Sequence, residues 1–184
     1  MNKTIIVSGY CATGKSTFSR KLSEMLKIPC FNKDTLKETM GDGLGSDGNI
    51  VFKKGSAATF RIMLYIAERF LNTGKTCILE GNFKVDEIEQ VKALLDKYNS
   101  ECLTFLFKGK FDILYNRYKN RDSTGKRHWV HQTAGETAES FEDGQIKNGV
   151  GEFGIDKIID IDATYFDRIN YEELISIAKD YVAN

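Results

Sequence analysis

The stretch Gly9-Tyr10-Cys11-Ala12-Thr13-Gly14-Lys15-Ser16 spaces two glycines, a lysine and a hydroxyl as G-x-x-x-x-G-K-[ST]. It follows the apolar run Thr4–Ser8 and precedes a helical pattern that begins at Ser16. Glycines at these places let the backbone curl so that successive N–H groups point at one anion. The helix that follows adds the positive end of its dipole. Lys15 can then reach the β- and γ-phosphates of ATP or GTP, and the Ser16 hydroxyl can bind Mg²⁺. The residues read as the cradle are Gly9, Cys11, Ala12, Thr13, Gly14, Lys15, Ser16 and Thr17. The spacing is not G-x-G-x-x-G, so a nicotinamide or flavin cofactor has little support. Cys11 is either a thiol with a pKa lowered by the helix N-terminus and Lys15, or a small loop residue with no redox role.

Phosphoryl transfer asks a protein for positioning and charge neutralisation more than for covalent help. Glu80 ends the run "TCIL" and reads as a second metal partner acting through water, or as a surface acid at a strand end. Asp34, in "FNKDTLK", is placed to accept a proton from a substrate hydroxyl or to hold a metal-bound water. Its other reading is the cap of a helix that starts at Thr35. Arg117 and Arg121 stand four apart on one helix face and are candidates to neutralise charge on the moving group. Lys126 and Arg127 are secondary candidates. His128 and His131 flank Trp129 with no cysteine or carboxylate cluster beside them, which favours contacts within that segment or with substrate over metal binding.

These residues need elements to hold them. Short apolar runs at Thr4–Ser8, Ile28–Phe31, Thr76–Leu79, Cys102–Phe107 and Lys157–Asp162 read as five strands. Helical patterns cover Ser16–Lys27, Asp34–Met40, Ser56–Asn72, Asp86–Tyr98, Lys110–Arg121 and Tyr171–Tyr181. Ser56–Asn72 is apolar on most sides and is expected to pack between other elements. Met40–Asn49 reads as a mobile loop, and Asp122–Gly154 as a polar, glycine-rich stretch. Strands that alternate with helices predict an α/β fold with a parallel sheet. Ligands of such sheets bind beyond the carboxyl ends of the strands, which puts the chemistry after residues 8, 31, 80, 107 and 162.

Composition sets outer bounds. The 184 residues suit one domain, 41% are apolar and 28% charged, and the formal net charge is zero. A broad electrostatic grip on duplex nucleic acid is therefore not expected. The cysteines, Cys11, Cys30, Cys77 and Cys102, form no C-x-x-C pair and read as small buried residues in a reducing cytoplasm. No run approaches a membrane span, and the first strand leaves no room for a signal peptide.

The Gly9–Ser16 loop, Asp34 after the second strand, "ILEGNF" at the third and "YNRYKNR" before the polar stretch together resemble the P-loop small kinases. These are the AAA-domain predicted kinases near gluconate kinase, chloramphenicol phosphotransferase, zeta toxin, the polynucleotide 5′-kinase domain and the nucleoside monophosphate kinases. The resemblance spans essentially the whole chain. It implies a three-layer fold with a five-stranded parallel sheet in the order 2-3-1-4-5. It also implies a single domain over 1–184 with a helical, glycine-rich lid at about 122–154, which closes over ATP and Mg²⁺. Carried over by position, Asp34 faces the acceptor hydroxyl, Arg117 and Arg121 are lid-helix arginines, and Ala163 and Thr164 border adenine. Lys37 stands where relatives carry the arginine of D-x-x-R, Glu80 replaces the commoner aspartate, and no "DGFPRT"-like stretch follows Gly81. Asp34, Lys37 and Asn82 are the expected acceptor contacts.

The expected activity is transfer of the γ-phosphoryl group of Mg·ATP to a hydroxyl of a small molecule, with Lys15, Asp34, Arg117 and Arg121 as catalytic residues. One alternative is a nucleoside or nucleotide kinase whose base pocket uses Phe60, Tyr65 or Phe83. Another is an ATP-binding switch or ATPase without an acceptor.

Overall fold

β1 (Asn2–Gly9) is buried from Lys3 onward, as a central strand must be. A computed structural model describes residues 2–45, 49–125, 127–131, 136–152 and 154–183, and the backbone alone for 49–54. Lys126, a secondary candidate above, lies outside the described residues. So do parts of the segments 40–49 and 122–154.

β1 pairs with β3 (Cys77–Glu80) on one side and β4 (Ser100–Lys108) on the other, both parallel. β2 (Cys30–Asn32) adds outside β3 and β5 (Lys157–Asp162) outside β4. The order is β2-β3-β1-β4-β5, as the resemblance implies. Alternation along β1 splits the core in two. Ile5 and Val7 meet Phe18 and Leu22 of α1 (Lys15–Leu26) and Leu174, Ile175 and Ala178 of α7 (Tyr171–Ala183). Ile6 meets Phe60, Met63 and Leu71 of α3 (Asn49–Asn72) and Val91 and Leu95 of α4 (Val85–Lys97). The result is a three-layer α/β sandwich. α3 buries only one face, since Ile62 and Tyr65 are exposed.

Two stretches are more ordered than their composition suggested. α2 runs over Lys33–Leu44, so the loop expected from Met40 starts after Leu44. One of its two glycines has a purpose: a Cβ on Gly41 would come within 2.5 Å of Val130 Cγ1 and 3.1 Å of Trp129 Cζ2. α5 (Phe111–Ser123) is followed by a 3-10 turn, Trp129–His131, which packs on α2 at that glycine. α6 (Ala138–Lys147) lies inside the polar, glycine-rich stretch, where the resemblance implies a helical segment. Thr137 caps it by accepting from Ser140 N at 3.1 Å, and Phe141 anchors it against Leu114 and Tyr118. No described helix is long and apolar enough to cross a membrane.

α2 is held to the body by charge. Lys33 and Glu87 form an ion pair, 7% and 5% exposed. The second Glu87 oxygen accepts from Lys84 N at 3.1 Å at the start of α4. A charge left alone there has no solvent to turn to. Glu87→Ala is expected to lower the unfolding free energy in urea by about 3–5 kcal/mol. Lys33→Met with Glu87→Leu should recover most of that loss. A single variant as stable as wild type would contradict the pairing.

Candidate functional site

The loop begins where β1 meets β4. A Cβ on Gly9 would lie 1.9 Å from the Phe107 carbonyl oxygen, and φ is +125°. Only glycine fits, and the chain turns there with Tyr10 N donating to Phe107 O at 2.9 Å. The turn delivers Gly14 to the start of α1, whose first N–H groups receive no side-chain cap from that residue. Lys15 is buried and folds back over its own loop, donating to Tyr10 O and, at 3.3 Å, to Thr13 Oγ1. Burial pulls its pKa down, Glu80 and Asp34 oppose that, and Arg121 adds to it. Cys11 N donates to Gln145 Oε1 on α6 at 3.1 Å, so the loop is also tied to that helix.

A cavity of about 140 Å³ opens over this loop, closed by Asp34, Glu80, Asn82 and Arg121. Glu80 is 3% exposed, which rules out a surface acid. Its Oε2 has no hydrogen-bond partner. Burial raises its pKa to about 7, Lys15 opposes that, and Asp34 adds to it. A buried, unpartnered carboxylate oxygen beside the Ser16 hydroxyl is a donor pair that a hard divalent cation fits. Among the described residues no group of three His, Cys, Asp or Glu could hold a metal alone, so a cation here would draw its other oxygens from water and phosphate.

Asp34 sits in the first turn of α2 but does not cap it. The cap is Asn32, whose Oδ1 accepts from Thr35 N at 2.7 Å and whose Nδ2 lies 3.4 Å from Ser16 Oγ. The Asp34 carboxylate is exposed to the cavity. Lys37 turns elsewhere, donating to Val130 O at 3.0 Å, and burial lowers its pKa.

The two α5 arginines part company. Arg121 lines the loop cavity. Arg117 donates to Ala163 O and Thr164 O, both at 2.6 Å, and lies 3.8 Å from the Phe166 ring centroid. Ala163 and Thr164 are themselves buried. Arg117 therefore grips the loop after β5 and does not line the phosphate-loop cavity.

A second cavity of about 230 Å³ shares Asp34 and Arg121 with the first. Its further walls are Glu38, Arg127, His128 and His131. His131 Nε2 is 3.2 Å from Glu38 Oε1, without hydrogen-bond geometry, and His128 Nε2 is 2.9 Å from Asp42 Oδ1. Burial lowers the His131 pKa, with Asp34 opposing. Both histidines thus contact α2. The aromatics considered for a base pocket are elsewhere: Phe60 and Phe83 are 3% and 1% exposed in the core, and Tyr65 is 63% exposed. A larger cleft of about 460 Å³ between α1 and α2 meets the site only at Ser16 and Asn32. Arg127 was secondary in the sequence, and Asn32, Glu38 and Gln145 carried no signal there. Only the contact of distant segments reveals them.

A family model described as an AAA domain matches residues 5–141. A search of the curated proteins returns no significant match. Among solved structures, a candidate kinase from Chloroflexus aurantiacus superimposes with a TM-score of 0.83 at 26% identity, covering 97% of each chain. A gluconokinase from Sinorhizobium meliloti gives 0.59 at 12% identity, over 95% of this chain and 87% of that one. A shikimate kinase from Bacteroides thetaiotaomicron gives 0.55 at 15% identity, over 100% and 99%. The last two likenesses concern the fold alone. With the loop, the sheet order and the family match in agreement, the chain belongs to the AAA-domain family and has the fold of the P-loop kinases.

Proposed function

We propose that the chain is an ATP-dependent phosphotransferase that moves a γ-phosphoryl group to a hydroxyl of a small polar molecule. The observation that carries this reading is that Asp34 borders the same cavity as the phosphate loop, with Arg121 lining it too. A binding switch has no use for a carboxylate there, whereas a kinase needs one beside the acceptor. The likeness to the Chloroflexus candidate kinase supports the same class.

In this reading the loop N–H groups and Lys15 hold the β- and γ-phosphates, and Lys15 leaves Tyr10 O to do so. Ser16 and Glu80 would hold a divalent cation, which when bound would neutralise charge on the phosphates. Asp34 takes the hydroxyl proton as the acceptor oxygen bonds to the γ-phosphorus and the bond to the ADP oxygen breaks. Arg121 donates to the equatorial oxygens of the moving group. Arg117, fixed in plane by the two carbonyls, serves as a flat cationic face for the base and not as a group at the γ-phosphate. Asn82 borders the acceptor side, and Lys37 positions the turn Trp129–His131. The polar lining of the second cavity favours a small hydroxyl compound over a nucleoside. The segment 122–154 acts as a lid, and the free cysteines suit a reducing cytoplasm.

Two outcomes follow. Asp34→Asn is expected to lower acceptor-dependent ADP release by about 10²–10⁴-fold while nucleotide affinity stays near wild type. Full turnover in that variant would remove the assigned base. Glu80 binds its proton more tightly folded than unfolded, so its contribution to stability is complete below its unfolded pKa of 4.5 and is lost as pH rises toward about 7. Without metal or nucleotide, Glu80→Gln should therefore be more stable than wild type at pH 8, by on the order of 3 kcal/mol, and not at pH 4.5. It should also lack the gain in Mg²⁺ affinity expected of wild type as pH rises through about 7. Equal stability of the two proteins across that range, by thermal melts, would overturn the assignment.

A further inference from the structure

α6 ends against the back of the phosphate loop, and its last turn is fixed before it gets there. The run Gln145-Ile146-Lys147-Asn148-Gly149-Val150 closes the helix with the paired bonds that end many helices at a glycine. Val150 N donates to Gln145 O at 3.0 Å, and Gly149 N to Ile146 O at 2.9 Å. Asn148 O then accepts from Val85 N at 3.2 Å, at the start of α4. Gly151 passes so close to Tyr10 that a Cβ would lie 2.9 Å from its ring. At the other end of this stretch Phe141 packs with Leu114 and Tyr118, and Tyr10, Cys11 and Ala12 rest on the same cluster.

Gln145 turns its amide to the loop. Cys11 N donates to Gln145 Oε1 at 3.1 Å, and only the oxygen of that amide can meet a backbone N–H, so its orientation is set. On the next residue the chain is strained. Ala12 has a φ of +61°, a left-handed value that alanine, unlike glycine, adopts at a cost. Such a conformation persists only where its surroundings hold it. Ala12 is held from both sides: Cys11 N is bound to Gln145, and Thr13 Oγ1 donates to Tyr10 O at 2.7 Å. The second bond is made within the loop. The first comes from an element 134 positions along the chain. Cys11, Ala12 and Thr13 line the phosphate-loop cavity and Gln145 does not, so Gln145 grips the loop from behind.

We propose that Gln145 is a positioning residue of the phosphate loop: by holding Cys11 N it keeps Ala12 in its left-handed conformation, and so keeps the loop in the shape that binds nucleotide phosphates. This role rests on the nucleotide-binding part of the phosphotransferase reading and deepens it. The coupling runs both ways. What Gln145 adds to nucleotide binding, bound nucleotide returns as protection of the docked end of α6.

The test uses the full chain with Mg·ADP and no acceptor. Gln145→Met keeps the length of the side chain and removes its oxygen. It is expected to raise the Kd for Mg·ADP, by calorimetry, roughly three- to tenfold. The same substitution should cost much less affinity in an Ala12→Gly background, because glycine adopts a φ of +61° without cost. A role confined to the packing of α6 would lower the melting temperature without depending on residue 12. Hydrogen exchange gives a second readout: Mg·ADP should slow exchange of the amides of 145–150 in wild type and not in Gln145→Met. The wild-type protection stands as a test even if the variant folds poorly, and its absence would overturn the coupling. Equal Kd for wild type and Gln145→Met, or the same loss whichever residue stands at 12, would overturn the positioning role and leave the phosphotransferase reading intact. Tighter binding by Gln145→Met would overturn it too, since Gln145 would then be competing with phosphate for the loop. A wild type that binds neither Mg·ADP nor Mg·ATP overturns both.

Discussion

The end of β1 has no room for a side chain, and the rest of the site hangs on that. With Phe107 O 1.9 Å from where a Cβ would be, residue 9 must be glycine, and the chain must leave the strand by one route. Tyr10 N is then fixed to β4, and the loop cannot drift from the sheet. The register of β1 with β3 places Val7 opposite Glu80, so the acid ends its strand next to the loop that carries Ser16. Burial of that acid follows from its place between a central strand and α1, and burial is what raises its pKa.

The wall of the cavity that α2 carries is built differently. α2 is positioned at its first turn, by the Asn32 cap and by the Lys33–Glu87 pair. Asp34 follows directly after Asn32 and Lys33, inside the cap that reaches Thr35 N, so its backbone is fixed while its carboxylate stays in the open cavity. Further along, the same helix carries Lys37, Glu38, Gly41 and Asp42, which receive the segment 128–131 through a carbonyl, two histidines and an indole. That contact is mostly polar, with Val130 buried at its centre.

The sequence announced what is local. A glycine loop between a strand and a helix is written in eight consecutive residues, and five apolar runs gave the sheet. Glu80 and Asp34 were placed by the rule that chemistry gathers at carboxyl ends of strands. What could not be read depends on long-range contact. Asp34 and Asn32 are both common helix caps, and only the folded geometry shows that Asn32 fills that role. Arg117 and Arg121 are equivalent on a helical wheel, but the loop after β5 claims the first of them. α6 shows no helical periodicity in the sequence because Phe141 and Ile146 are its only large apolar residues, and Ile146 is exposed. Its stability comes from a cap and from packing on α5, which no periodicity reveals.

Asp34, which faces the phosphate loop, is proposed to activate an acceptor hydroxyl. ³¹P NMR of a reaction holding Mg·ATP, the full chain and a mixture of small hydroxyl compounds reads this directly. A new phosphomonoester resonance should grow in step with ADP, and should vanish in Asp34→Asn. Conversion of ATP to ADP and inorganic phosphate alone, at a rate the mixture does not change, would contradict it.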